Sequence, residues 1–226
     1  MEGVNLKALT KTEIFAGASE EEVASMLNCL SAKKRKDQKD EIIFHAGDTV
    51  ASIGVMLTGS ALIENDDIWG NRSVLDYVKE GQIFAETYAC ALDEKLMVNV
   101  IAMSDCEVLF LDVRKILKVC PNACEFHQNL VQNLLAISAQ KNLNLSRRIF
   151  HTSSKTIRGR LLSYLSYQAM ECGKNEFDIP YNRQQLADYL GVDRSAMSNE
   201  LGKMQKDGLI EVKRNHFRIL DVDVTA

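Results

Sequence analysis

The sequence predicts an α+β chain: a small antiparallel β-barrel or double sheet in the first half, one long helix, and a C-terminal winged helix-turn-helix. Three observations carry this. Residues 41–111 alternate short apolar runs with turn residues, residues 122–145 hold a long helical pattern after Pro121, and residues 182–209 read as two capped helices followed by a hairpin. At 226 residues, 46% of them apolar, the chain can bury one substantial core and a smaller second one. We expect domains at 1–120, a sensor barrel with N-terminal helices; 121–146, a dimerisation helix; and 147–226, the winged helix-turn-helix.

Residues 7–30 look helical, with Leu9, Ile14 and Phe15 leading to a capped segment at Ser19 and the apolar Val23, Met26, Leu27 and Leu30. The basic run from Lys33 to Lys36 is followed by Asp37, Lys39, Asp40 and Glu41, which reads as a solvated loop. Strands are expected at 42–44, 53–57, 61–64, 73–78, 98–102 and 106–111, separated by turns such as those at Gly47, Gly59 and Gly81. A double sheet of this kind can hold a small ligand between its layers. In the long helix, Leu130, Leu134 and Ile137 recur at four and three, an approximate heptad seam for pairing with a second chain. Residues 144–152 are the expected hinge. Ser153 or Ser154 then opens a helix carrying Ile157, Leu161, Tyr164, Leu165 and Ala169, stopped by Gly173 and followed by a short strand at 176–179.

Asn182 is placed to cap a helix bearing Leu186, Ala187 and Leu190; Gly191 ends it and Asp193 caps the next. Met197, Leu201 and Met204 face inward on that second helix. Arg194, Ser195, Ser198, Asn199, Gly202 and Lys203 form a polar outer stripe, and short side chains on such a stripe allow close approach to base edges in a major groove. Residues 209–220 give two alternating runs around Asn215, a basic hairpin with Lys213, Arg214 and Arg218. Arg183 and Gln184 at the start of the first helix join Arg194, Ser195, Ser198, Asn199, Lys203, Lys213 and Arg214 as the candidate DNA-binding set.

The formal net charge of −4 divides unevenly: 14 Lys/Arg against 10 Asp/Glu in residues 141–226, and 13 against 21 in residues 1–140. An acidic front half on a basic back half fits a regulatory domain joined to a phosphate-binding one. No apolar run is long enough to span a membrane and the first residues lack the pattern of a signal peptide, so a cytoplasmic setting with the six cysteines reduced is expected.

Several stretches taken together resemble the cyclic-AMP receptor protein and FNR (CRP/FNR) family of bacterial transcription regulators: Phe44-His-Ala-Gly-Asp48, Leu57-Thr-Gly-Ser-Ala61, Gly81-Gln-Ile-Phe-Ala-Glu86, the long helix, Asp193-Arg-Ser-Ala-Met-Ser-Asn-Glu-Leu201 and Asp207-Gly-Leu-Ile210. The resemblance covers nearly the whole chain. It implies a cyclic-nucleotide-binding-like jelly roll, a homodimer, double-stranded DNA with a pseudo-palindromic operator, and RNA polymerase as a further partner. Base-reading positions carry over to Arg194, Ser195 and Asn199; Asn at 199 departs from the Arg often found there and suits adenine in place of guanine. The corresponding effector pocket would involve Phe84, Glu86, Leu96, Met97 and Leu130.

The family's cyclic-nucleotide binders hold the buried phosphate with an Arg-Ser or Arg-Thr pair about ten residues after a Gly-Glu. Here Ala85 precedes Glu86, and Leu96 and Met97 stand at the Arg-Ser positions, so neither cyclic AMP nor cyclic GMP is the expected effector. A [4Fe–4S] cluster needs four thiolates near one end, where this sequence has only Cys29. Cys120, Cys124 and His127 form an incomplete ligand set that leaves the cofactor unknown, with haem or a thiol redox switch still open; the metal expectation is none. His45, His151 and His216 read as structural or exposed, His216 within reach of a phosphate. A catalytic role finds no phosphate loop, His-x-Glu metal motif or nucleophile elbow, so no enzyme is expected. The other non-catalytic reading is a ligand-, haem- or metal-binding sensor module whose winged helix contacts a protein partner.

Overall fold

The computed structural model describes residues 4–66, 68–69, 72–91, 93–117 and 125–220. The chain divides into two compact units, Met1–Lys141 and Asn142–Ala226. The first opens with α1 (Leu6–Leu9), a 3-10 turn at Glu13–Phe15 and α2 (Glu20–Cys29). The α2 start carries the full capping box: the Ser19 hydroxyl accepts from the Glu22 amide and the Glu22 carboxylate accepts from the Ser19 amide.

Eight strands follow: β1 (Lys33–Asp37), β2 (Ile42–Phe44), β3 (Ser52–Thr58), β4 (Ala61–Asp66), β5 (Arg72–Val78), β6 (Ile83–Phe84), β7 (Asn99–Ala102) and β8 (Cys106–Asp112). They form two antiparallel four-stranded sheets of jelly-roll type, ordered β1-β8-β3-β6 and β2-β7-β4-β5, not one closed barrel. Between them Phe44, Phe84 and Phe110 meet edge to face with ring centroids 5.5–6.5 Å apart. Short helices α3 (Glu86–Cys90) and α4 (Val113–Leu117) pack on each other and against β3 and β8.

The basic run expected to be a loop is strand β1. Its register on β8 sets Lys34 and Lys36 on one face, both against Glu107 at 3.4 and 2.9 Å. Arg35 on the other face stacks over Phe110 at 4.9 Å and donates to the Ile43 carbonyl at 2.9 Å. Composition concealed the strand because its partners are supplied by a segment some seventy residues away. Charge on an edge strand also discourages pairing with other chains.

Helix α5 runs Glu125–Thr152, and the division between the units falls inside it. Residues 144–152, expected to be a hinge, are its last turns; they contain no Gly or Pro, and Arg148 and His151 give them fixed partners within the second unit. A second correction concerns the seam. Leu130, Leu134 and Ile137 are buried in the chain's own core with Leu9, Phe15, Ile53 and Leu109, so they serve the first unit rather than a second chain. Val131 and Leu135, one position on, are exposed, as are Leu143, Leu145, Ile149 and Phe150 further along α5.

The second unit holds the end of α5, α6 (Ile157–Cys172), β9 (Glu176–Asp178), α7 (Arg183–Leu190), α8 (Arg194–Lys206), β10 (Ile210–Lys213) and β11 (His216–Ile219). Thr156, not Ser153 or Ser154, caps α6, its hydroxyl accepting from the Gly159 amide at 3.0 Å. Its core joins Leu161, Leu165, Leu186, Leu190, Met197, Leu201, Met204 and Phe217. His151 is buried against Tyr164, Tyr167 and Tyr189 with Nδ1 3.1 Å from the Ser163 hydroxyl; burial, then Arg147, holds its pKa below the usual value. Strands β9, β11 and β10 form a three-stranded sheet.

His216 starts β11, and its ring is held between two β9 carboxylates, Nε2 3.0 Å from Glu176 and Nδ1 3.1 Å from Asp178. These bonds, Glu176 first, raise its pKa above the usual histidine value. The stabilisation is therefore complete below about pH 6.5, the unfolded value, and is lost as pH rises through the higher folded value. His151, with its lowered pKa, works in the opposite direction. Urea midpoints of wild type and His216→Gln measured from pH 6 to 9 should therefore differ most at the acid end and converge at the alkaline end. A difference that is constant or grows with pH would show that the two carboxylates do not hold a protonated ring.

Candidate nucleic-acid interface and sensor site

The two helices α7 and α8 are set by local chemistry at each end. The Asn182 side chain accepts from the Gln185 amide at 2.9 Å while the Gln185 side chain accepts from the Asn182 amide at 2.9 Å, a reciprocal cap. Gly191 takes the left-handed conformation at φ +61°, which a Cβ would disfavour, and its amide turns back to Ala187 and Asp188. Asp193 then caps α8, accepting from the Ala196 amide at 2.7 Å and the Ser195 hydroxyl at 2.6 Å. Those two bonds, Ser195 foremost, hold the Asp193 carboxyl below the usual range.

On α8 the inner face is buried at Met197, Leu201 and Met204, and Arg194, Ser195, Ser198, Asn199 and Lys203 all lie exposed. A Cβ added at Gly202 would meet nothing within 4 Å, so this stripe has no protein over it at that point. The expected reading residues therefore share one open helix face. At the far end of α8, Arg158 from α6 bonds Glu200 at 2.5 Å and Asp207 at 2.7 Å, while Lys203 leans on Glu200 at 3.6 Å. Of the α7 candidates, Gln184 is exposed and donates to Asp188 at 2.8 Å. Arg183 is half-buried, its guanidinium over the Phe217 ring at 5.3 Å.

The wing places Lys213 and Arg214 at its exposed tip. Arg214 occupies the tight turn at φ +58°, a region most side chains avoid. Its neighbour Asn215 ties the turn down, the side chain donating to the Ile179 carbonyl at 3.2 Å and the backbone carbonyl accepting from the Ile179 amide at 2.9 Å.

In the first unit the five expected pocket residues take different positions. Phe84 and Leu130 are fully packed, Leu96 is buried in the core at 3% exposure, and Met97 is 70% exposed. Glu86 opens α3 directly after Ala85, which adopts φ +63° where glycine would rest more easily. The Glu86 carboxylate is buried and bonds the Lys141 ammonium of α5 at 2.8 Å; the same ammonium donates to the Ile83 carbonyl at 2.8 Å. The second Glu86 oxygen is buried with no hydrogen-bond partner among the described residues.

At the level of sequence Lys141 only continues the seam of Leu130, Leu134 and Ile137 at the next step of four; its pairing with Glu86 is not legible there. His127 is buried nearer the start of α5, with no hydrogen-bond partner for Nδ1 among the described residues. Cys120 and Cys124 lie outside the described residues.

Comparison with known proteins accords with this arrangement. Residues 34–122 match the cyclic nucleotide-binding domain family and residues 159–224 the Crp-like helix-turn-helix domain family, together well over half of the chain. The chain is 23% identical over 209 residues to electron transport regulator A of Shewanella oneidensis, covering 86% of this chain and 78% of that protein. It is 20% identical over 172 residues to the cAMP-activated global transcriptional regulator CRP of Haemophilus influenzae, covering 74% and 75%. Among solved structures, CprK in complex with OCPA superposes with a TM-score of 0.68 at 13% identity, over 88% of this chain and 91% of that one, a likeness of fold. With both domain families in sequence order and relatives matched across their joint, the chain belongs to the CRP/FNR family of transcription regulators.

Proposed function

We propose that this chain is a homodimeric, sequence-specific DNA-binding regulator, controlled through its first unit by an effector other than cyclic AMP or cyclic GMP. The observation that carries the DNA-reading claim is the open face of α8, where Arg194, Ser195 and Asn199 stand within the first turn and a half. Ser195 and Asn199 are four residues apart and project the same way, so all three reach one segment of a major groove. Lys213 and Arg214 on the wing, and Lys203 on α8, supply cations for the phosphates.

The dimer claim is supported by the outer face of α5. Val131, Leu135, Ser138, Asn142, Leu145 and Ile149 recur at spacings of four and three, and Leu135, Leu145 and Ile149 are each more than half exposed. A stripe of this kind suits a parallel partner helix, with Asn142 at a position where a buried polar pair fixes register. Two such heads address half-sites about one helical turn, roughly 34 Å, apart.

The effector claim rests on what a buried phosphate requires. Leu96 is packed in the core, Met97 points to solvent, and the nearby cation, Lys141, is engaged by Glu86 and the Ile83 carbonyl. These residues do not fit a cyclic phosphate, which needs a cation and donors of its own.

Binding-site selection from a random duplex library tests the central reading. Wild type should enrich a palindrome. Asn199→Ala should lower affinity for the selected duplex by about 1–3 kcal/mol, roughly ten- to a hundredfold, with little change on random DNA. Arg214→Ala should lower both and make the salt dependence shallower by about one unit. No enrichment, or binding that ignores salt, would favour the protein-partner reading of the winged helix instead. In sedimentation at micromolar concentration, wild type should be a dimer and Leu135→Glu a monomer; a Leu135→Glu dimer would move the interface elsewhere. Calorimetry with cyclic AMP and cyclic GMP should give no saturable heat at low micromolar concentration, and saturable binding there would overturn the effector claim.

A further inference from the structure

The last residues of α7 and the turn after it have their carbonyls gripped by two arginines from other helices. Arg148, on the last turns of α5, donates through Nη2 to the Asp188 carbonyl at 2.7 Å and through Nε to the Tyr189 carbonyl at 2.9 Å, with its guanidinium 5.6 Å above the Tyr189 ring. Arg160, on α6, donates through Nη1 to the carbonyls of Leu190 and Gly191, each at 2.9 Å, and through Nε to the Ser154 carbonyl at 2.9 Å. Four consecutive carbonyls, from Asp188 to Gly191, therefore meet guanidinium donors.

A helix end leaves its final carbonyls without intrahelical donors and carries partial negative charge. A local turn answers part of this need, here through the amides of Gly191 and Val192 closing on Ala187 and Asp188. Side chains from two further helices go beyond what a cap requires. Charge-assisted bonds of this type are roughly twice as strong as neutral ones, and the planar guanidinium fork fixes two acceptors at once where an ammonium fixes none in direction.

We propose that Arg148 and Arg160 are positioning residues for DNA reading: together they fix the turn that launches α8, and so the place of Arg194, Ser195 and Asn199. The core holds α8 only from Met197 onward, and Arg158 holds its C-terminal end at Glu200 and Asp207. The N-terminal turn, which carries the reading side chains, takes its location from residues 188–193. Arg148 references that turn to α5, and Arg160 references it to α6. A guanidinium occupied by two backbone carbonyls and stacked on a tyrosine is committed to the protein, so Arg148 serves the reading helix and not a DNA phosphate.

This inference rests on the DNA-reading proposal, and the experiment separates the two. Arg148→Met and Arg148→Lys are compared with wild type in the full chain by amide hydrogen exchange without DNA. Their affinity for the duplex that wild type selects is then measured beside a random duplex over a range of salt. For Arg148→Met, exchange at residues 191–194 should rise while the middle of α6 is unchanged. Affinity for the selected duplex should fall by about tenfold, the scale of one misplaced base contact, with random-DNA affinity and salt dependence unaltered. Arg148→Lys should fall between, because it keeps the charge and loses the fork; if Arg148→Met does not fold, the same ratio measured on Arg148→Lys decides. Equal loss on both duplexes with a shallower salt dependence would make Arg148 a phosphate contact and overturn the proposal, as would unchanged exchange at the turn. If wild type selects no duplex, the DNA-reading proposal fails, and the exchange measurement still judges the clamp.

Discussion

Helix α5 packs one apolar stripe into the core of the first unit, and among the described residues a partly apolar stripe one residue on stays exposed. Leu130, Leu134 and Ile137 go into the core of the first unit, at a cost of about 2–5 kcal/mol for any one truncated to alanine. Val131, Leu135, Leu145 and Ile149 are left outside. The two needs are compatible only because the stripes are offset by one helical position, about 100° around the axis. Inward residues fix which face of α5 meets the sheets, and that choice determines which face remains for anything else.

The inner stripe ends on a charge. At the step after Ile137 stands Lys141, which reaches Glu86 and the Ile83 carbonyl. A pair like this gains little net stability, because both groups give up water to form it, but it is demanding about geometry. Breaking it would leave a buried Glu86 carboxylate that already has one oxygen without a hydrogen-bond partner among the described residues. Ala85, held at φ +63° immediately before Glu86, adds a second local cost at the same place. The segment joining β6 to α3 therefore departs from an easy conformation in both backbone and charge.

Local chemistry made the second unit legible. The caps at Asn182, Asp193 and Gly191 lie within four residues of the amides they serve, and a sequence read in short windows finds them. The inward set Met197, Leu201 and Met204 was equally plain from its spacing. What stayed hidden depends on distant partners. Nothing near Lys34 or Lys36 announces Glu107, nothing near His216 announces Glu176 and Asp178, and nothing near Arg148 announces the end of α7. In α5 the period was visible but the phase was not, since Val131, Leu135, Leu145 and Ile149 fall on the same spacing one position on from Leu130. Residues 144–152, expected as the hinge, are continuous helix, since no residue in them breaks one.

If Ser195 meets a base, as proposed, its bond to Asp193 limits what it can recognise. Its hydroxyl proton points at an ionised carboxylate 2.6 Å away, which leaves only oxygen lone pairs facing outward. While that bond holds, Ser195 can only accept. Its matching partners are then the amino groups of adenine or cytosine, and the bare acceptor edge of guanine is turned away. On the proposed reading, the α8 cap would double as a filter on the letter beside it.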